Sequence, residues 1–374
     1  MQACTASPAV ADRPLALPGP PVLATGAWFE STPARVAGDR LHRAASAGDL
    51  IDAEACRRFD AALDALLELP GEPPRAIAHD LHPDFQSTRA ARALAERLQV
   101  PAIAVQHHHA HLAAVLAEHG HPGPALGIAA DGVGLGDDGA AWGGELLLVD
   151  GAACTRLGHL RALPLPGGDR AAREPWRMAA AALQLAGRGE EIAARFARHG
   201  AAAQLVQIID RPHLSPPSTS LGRHFDAAAA LLGLCEVNET GAQAAIALES
   251  AARAHGPVAP ESDAWRVTAD GTLNLLPLLV RLADETDAAR GAARFHATLA
   301  AACADWLAAA ATAQRIRTVA LGGGCFHNRL LTAALLEHLA AAGLVVLRPE
   351  RLPPGDAGLA AGQAWVAQRI LEGN

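Results

Sequence analysis

Apolar and polar positions recur along this chain in two periods, and the switches between them outline its elements. Val22-Leu23-Ala24-Thr25-Gly26-Ala27 reads as a first strand ending in a glycine turn, and Arg35 to Ala45 has room for a second and a third. Asp52 to Leu69 carries helical spacing, Arg75 to His79 reads as a strand, Asp80 to Asp84 as a loop, and Phe85 to Leu98 as a helix. The apolar run Val100 to Val105 predicts a short buried strand, followed by a helix with Leu112, Val115 and Leu116 on one face. Ala125 to Ala130 and Gly143 to Val149 predict a strand–loop–strand unit with a glycine-rich tip. Residues 170–310 are mainly helical, including an Ala-rich buried stretch from Leu299 to Thr312. The strand Thr318 to Leu321, a helix over 328–341, a strand over 344–347 and a helix over 358–371 close the pattern.

Strands and helices alternate at both ends, which predicts an α/β protein, and 374 residues exceed the usual size of a single core. The expected layout is a disordered, Ala/Pro-rich stretch over 1–20, a first lobe over 21–165 and a second over 166–374, divided at the Pro/Gly-rich segment Leu163 to Asp169. The net charge of −8 without a basic run argues against a nucleic-acid partner. No run of about 18 uncharged apolar residues occurs, so no membrane span is expected. The six cysteines form no C-x-x-C pair, which excludes a zinc ribbon, and their irregular spacing fits reduced thiols in the cytoplasm.

The chemistry concentrates in Gln106-His107-His108-His109-Ala110-His111, four histidines in five positions at a strand-to-helix junction. His107 and His111 are spaced i, i+4, so a helix stacks them on one face and they can chelate one metal ion. His108 points elsewhere, and His109 is a candidate for positioning or acid–base work. A fortuitous His-rich helix start is the plain alternative.

Four further stretches carry candidate groups. Asp131, among Gly132, Gly134 and Gly136, is either a strand-end carboxylate near a metal or phosphate, or part of a hairpin tip. Gly322-Gly323-Gly324 between a strand and a helix is either a nucleotide loop or a tight turn; no P-loop pattern occurs anywhere. Asp356 is either the cap of the last helix or a third, oxygen ligand beside His107 and His111. Pro166-Gly167-Gly168-Asp169 and Ser218 to Arg223, which includes Gly222, are polar loops or ordinary turns.

In one order, these motifs resemble the C-terminal half of HypF, the hydrogenase-maturation carbamoyltransferase, which is itself similar to TsaD. The resemblance runs from Val22 to about Gln363. It is carried by Asp80-Leu81-His82-Pro83-Asp84, the histidine run, Asp131-Gly132 with Trp142-Gly143-Gly144-Glu145, and Pro166 to Asp169 with Arg173-Glu174-Pro175. Gly222-Arg223 with Phe225-Asp226, Gly322 to Gly324 with Asn328, and Gly355-Asp356-Ala357-Gly358 leading to Gly362-Gln363 complete it. The resemblance implies a two-lobed actin/hexokinase-like (ASKHA) fold of the TsaD type with nucleotide between the lobes. It implies an iron or zinc ion at His107, His111 and Asp356, with Asp131 nearby, and His109 and Asp131 as the catalytic candidates. The ATP or AMP moiety of carbamoyl-adenylate, with Mg as a further candidate ion, is expected against Gly167, Gly168, Asp169, Gly222, Arg223, Gly322, Gly323, Gly324 and Asn328.

The implied reaction is transfer of a carbamoyl group from carbamoyl-adenylate to the C-terminal cysteine of HypE, on the route to the cyanide ligand of [NiFe] hydrogenase. The family's acylphosphatase, zinc-finger and adenylate-forming YrdC-like domains have no counterpart in the sequence. A separate YrdC-like protein or a full-length HypF is therefore the expected source of the adenylate. Glu30 stands where family members usually carry lysine, and Glu239-Thr240-Gly241-Ala242-Gln243 departs from the usual E-G-Q-A-A run. The competing functions are a metal-dependent hydrolase of carbamoyl phosphate or a nucleotide, and a nucleotide-binding maturation scaffold without turnover.

Overall fold

A computed structural model describes residues 15–373. In chain order the first half runs β1 (Val22–Ala24), β2 (Ala34–Ala37), β3 (Arg40–Arg43), α1 (Ala53–Leu67), β4 (Ala76–Asp80), α2 (Gln86–Leu98), β5 (Ala102–Val105) and α3 (His107–Glu118). The second half opens with β6 (Ala125–Leu135), β7 (Ala141–Asp150) and β8 (Ala153–His159). A helical region follows, with α4 (Pro175–Leu185), α5 (Leu221–Leu231), α6 (Gln243–His255) and α7 (Ala288–Gln314) as its main helices. The chain closes with β9 (Thr318–Gly322), α8 (Arg329–Ala341), β10 (Val345–Leu347) and α9 (Leu359–Glu372).

Both halves use one strand order. β3-β2-β1-β4-β5 and β8-β7-β6-β9-β10 each join an antiparallel three-strand meander to two parallel strands. The duplication is invisible in the residues, because strands buried on both faces accept any apolar set of the right size. It yields the two-lobed α/β architecture expected above.

The last helix of each half crosses to the other. α3 packs on β6, β7 and β9, whereas α9 packs on β1, β2 and β4, and the two helices lie against each other. Their contact is tight because Gly362 has no side chain: a Cβ there would sit 1.8 Å from the Ala110 carbonyl oxygen. The Gln363 amide then spans to the first sheet. Its Oε1 accepts from the Gly26 N–H at 2.9 Å and its Nε2 donates to the Gly26 carbonyl at 3.2 Å. The glycine turn after β1 is thereby locked to the end of the chain.

Three expectations about layout are corrected. Sheet membership changes between Val105 and Ala125, so β6, β7 and β8 belong with the second half rather than with a lobe ending at 165. The Leu163 to Asp169 segment is a turn within that half. Residues 15–20 are ordered: Leu15 and Leu17 are buried in the core, Leu15–Ala16 pairs with β3, and Gln368 donates to the Pro20 carbonyl. Residues 1–14 of the stretch expected to be disordered lie outside the described residues. Finally, β5 is an edge strand with only Val105 buried, because among the described residues no strand pairs beyond it and its apolar residues face a half-open surface.

Candidate metal centre

The site forms where the N-terminus of α3 meets a bulge in β6 and the turn before α9. Gln106 starts α3 by accepting from the His109 N–H at 2.8 Å, while its Nε2 donates to the Leu135 carbonyl and ties the helix start to the end of β6. One turn apart, His107 and His111 face the same side, and their Nε2 atoms lie 3.2 Å from each other. Gly134 makes room for the His107 and His108 rings, since a Cβ at that position would fall 2.6 Å from the first and 2.7 Å from the second.

Asp131 enters from β6. The expected strand end at Ala130 is in fact a register shift between Ala130 and Gly134, and the strand continues to Leu135. The bulge turns the Asp131 carboxylate inward. Its Oδ2 lies 3.2 Å from His107 Nε2 and 3.3 Å from His111 Nε2. Asp356 enters from the turn Asp356–Gly358. It makes no capping hydrogen bond to α9, so the cap reading is set aside; its Oδ1 lies 3.5 Å from His107 Nε2 and 3.4 Å from His111 Nε2.

The four ligand-type atoms of His107, His111, Asp131 and Asp356 all fall within 4.8 Å of one another. Donors bound at about 2.1 Å in a tetrahedron stand about 3.4 Å apart. Five of the six donor pairs measure 3.2–3.5 Å. The donor set therefore fits one ion, with nitrogen and oxygen donors suited to zinc or ferrous iron.

Two imidazoles facing two carboxylates shift one another's protonation equilibria. Burial opposes protonation of His107, but Asp80, Asp356 and Asp131 outweigh it and hold its pKa well above the ordinary value. His111 is raised in the same way: burial is outweighed by Asp131 and Asp356. Burial pushes the two carboxylates up, yet hydrogen bonds from both histidines hold Asp131 well below the carboxylate range. The His107 charge, with hydrogen bonds from both histidines, likewise lowers Asp356.

Asp80 orients the site. The parallel register of β4 on β5 sets Asp80 opposite Val105, two residues before His107. Asp80 Oδ2 thus lies 2.7 Å from His107 Nδ1 and leaves Nε2 to the cluster. Sequence reasoning placed Asp80 in a loop motif without a role; only strand register reveals it. Ser220, within the polar stretch Ser218 to Arg223, takes a specific place beside the centre. Its hydroxyl donates to the carbonyls of Asp131 at 3.0 Å and Gly132 at 2.6 Å, and it accepts from the Arg223 N–H, clamping the bulge to α5.

The remaining candidates fall around the centre in different ways. His109 lies two positions round the helix from His107 and His111 and is not among the four clustered donors. It is buried, its Nε2 has no partner, and burial, offset in part by the Gly151 backbone, lowers its pKa to about 4. His108 is likewise held neutral by burial and by the charge of His107.

The glycine loop touches the centre directly. Gly324 N–H donates to Asp131 Oδ1 at 3.0 Å and Gly323 N–H to the Pro354 carbonyl at 2.9 Å. These two N–H groups are thus paired within the protein. Asn328 caps α8 and contacts His296 Nε2 at 2.8 Å. Gly222 packs against the bulge, where a Cβ would lie 3.1 Å from Gly132 Cα, and Arg223 pairs with Asp226 at 2.7 Å. Gly167 donates its N–H to the Leu214 carbonyl, and the adjoining Pro166 carbonyl accepts from Arg177. Asp169 is exposed and makes no capping hydrogen bond. Glu30 is exposed on the other side of the site, with its Oε2 3.6 Å from the point a Gly355 Cβ would occupy.

Comparison with known proteins places the fold in a family. Residues 18–118 match the family described as HypF Kae1-like domain, and residues 127–363 the family described as carbamoyltransferase, Kae1-like domain, second subdomain. The break between the two matches falls where the chain passes from the first sheet to the second. "Carbamoyltransferase HypF2" of Cupriavidus necator is 52% identical over 94% of this chain and 47% of its own length. "Carbamoyltransferase HypF homolog" of the same organism is 49% identical over 93% of this chain and 92% of its own length. The crystal structure of full-length HypF in the phosphate- and nucleotide-bound form superposes with a TM-score of 0.86 at 29% identity, covering 98% of this chain and 49% of that one. The chain spans about half the length of the first of these relatives and of that solved structure. It belongs to the HypF family of carbamoyltransferases, and corresponds to the family's Kae1-like domain.

Proposed function

We propose that the chain catalyses carbamoyl transfer at a centre in which His107, His111, Asp131 and Asp356 hold one iron or zinc ion. The acceptor in this reading is the C-terminal cysteine of HypE, and the donor is carbamoyl-adenylate. The observation that carries it is the convergence of two imidazoles and two carboxylates at tetrahedral spacing, beside a glycine loop. A bound ion there would supply Lewis acidity toward the carbamoyl or phosphate oxygens. Asp131 would be a ligand rather than a neighbour, which differs from a set of two histidines and Asp356 alone.

The chain's own residues do the rest of the work. Asp80 fixes the tautomer of His107 with Nδ1 protonated, leaving Nε2 as the donor. Asp131 divides its two oxygens between the histidines and Gly324, so the glycine loop and the centre hold one geometry. In the transfer itself the acceptor thiolate attacks the carbamoyl carbon, the S–C bond forms, the C–O bond to AMP breaks, and AMP leaves with its negative charge. The thiol proton goes to solvent before attack. Nucleotide binding is supported by the nucleotide-bound relative of the same fold. The five described cysteines are free and no helix among the described residues is long and apolar enough to cross a membrane, which fits a cytoplasmic place of work.

The test supplies carbamoyl-adenylate, made in place by a separate YrdC-like activity or a full-length HypF, to the metal-loaded chain with HypE. Thiocarboxamide should form on HypE, and His111→Ala should abolish it. Release of AMP at the same rate without HypE would point to a hydrolase, and binding of HypE without product to a scaffold.

A further inference from the structure

Asp356 is the one member of the centre that arrives on a loop, and several of the contacts that hold that loop lie away from the centre. Residues 348–358 pass over the far end of α3. Glu118, two turns after His111 on the same helix, accepts from three consecutive backbone N–H groups. Its Oε2 takes those of Glu350 at 3.2 Å and Leu352 at 3.4 Å, and its Oε1 takes that of Arg351. His119 adds a contact to the Arg348 carbonyl at 2.8 Å. Beyond this anchor come Pro353 and Pro354, whose rings fix φ and leave the chain little freedom. The Pro354 carbonyl accepts from Gly323, and on the far side of Asp356 the Ala357 carbonyl accepts from Arg43 of β3 at 3.0 Å.

We infer that Glu118 is a positioning residue of the metal centre: by clamping the N–H groups of residues 350–352 it sets, through the Pro353-Pro354 step, where the Asp356 carboxylate stands. One helix thereby fixes three of the four donors, two directly and one through the loop clamped at its far end. The inference rests on the metal reading above. A carboxylate accepting several backbone N–H groups is a strong and geometrically exacting clamp, and alanine leaves those donors to water. Outer groups that orient a ligand typically contribute 10–100-fold to metal affinity.

Zn²⁺ affinity of the full chain, measured by competition with a chromogenic chelator, separates this role from simple support of the fold. Glu118→Ala should weaken Zn²⁺ binding about tenfold or more, and Glu118→Gln, which keeps one acceptor oxygen, should fall between. Pro353→Gly, which removes the stiff step and touches no donor, should weaken binding in the same direction. The deciding measurement is a double-mutant cycle: in an Asp356→Ala background, Glu118→Ala should change Zn²⁺ affinity little further. Wild-type chain that binds no Zn²⁺ would overturn the metal reading itself. Wild-type chain that binds, with Glu118→Ala binding equally or the two losses simply multiplying, would overturn this inference alone. If Glu118→Ala does not fold, Glu118→Gln and Pro353→Gly decide the matter by the same criterion.

Discussion

The Asp80 carboxylate stands 2.7 Å from His107 Nδ1, and both side chains are almost wholly buried. That contact decides which nitrogen of His107 faces the centre. Asp80 also accepts from the His82 N–H, so its own position is fixed. Asp80→Asn should keep the fold but weaken metal binding about tenfold or more, because a neutral amide no longer supports the imidazole as a donor. Titration against a chelator checks this, and an unchanged affinity would refute it.

The pH dependence should reverse on metal loading. In the metal-free chain the raised His107 and His111 contribute stability that is fully present below about pH 6.5 and is lost as pH rises through their folded values. Metal binding needs both rings neutral, so affinity should rise over that same window. Melting temperature with chelator present should fall from pH 6.5 upward, and with Zn²⁺ present it should rise. Parallel profiles would contradict the assignment.

His109 offers a control. Its pKa of about 4 means the folded chain keeps it neutral while the unfolded chain protonates it below about 6.5, so it removes stability as pH falls through that window. His109→Leu should stay within about 1 kcal/mol of wild type at pH 7, since the replaced ring has an unpaired buried nitrogen. It should also resist acid better and retain carbamoyl transfer. Loss of transfer with metal affinity intact would restore a catalytic role for this ring.

Gly362 is predicted to be intolerant. A methyl at that position meets the Ala110 carbonyl, so Gly362→Ala must push α9 away from α3. Overpacking of this kind costs about 1–3 kcal/mol, and here it should also weaken metal binding because α3 carries two donors and the turn before α9 a third. Urea denaturation and chelator competition on the same variant test both halves of the claim.

Much of the element pattern was readable from periodicity, since α1, α2 and α8 bury regular stripes and β1, β4, β9 and the first half of β6 contain short apolar runs. The histidine pair was readable too, because i, i+4 spacing on a helix dictates a shared face. What could not be read was long-range. Asp80 reaches His107 only through the register of two parallel strands, Asp131 turns inward only because β6 bulges, and Asp356 arrives over 200 residues after Asp131 on a clamped loop. The glycine loop looked like a donor cradle because local sequence cannot show that Asp131 and Pro354 already occupy two of its N–H groups. The place of the sheet boundary was missed for a related reason: Pro/Gly richness marks turns, and turns need not divide lobes.

In the proposed centre His107, His111, Asp131 and Asp356 hold one ion. X-ray absorption at the zinc edge, with metal content measured on the same sample, tests it most directly. One ion per chain is expected, with about four nitrogen and oxygen neighbours at roughly 2.0–2.2 Å, and that ion should be lost in both Asp131→Ala and Asp356→Ala. Retention of an unchanged first coordination sphere in either variant, or sulfur among the neighbours, would contradict it.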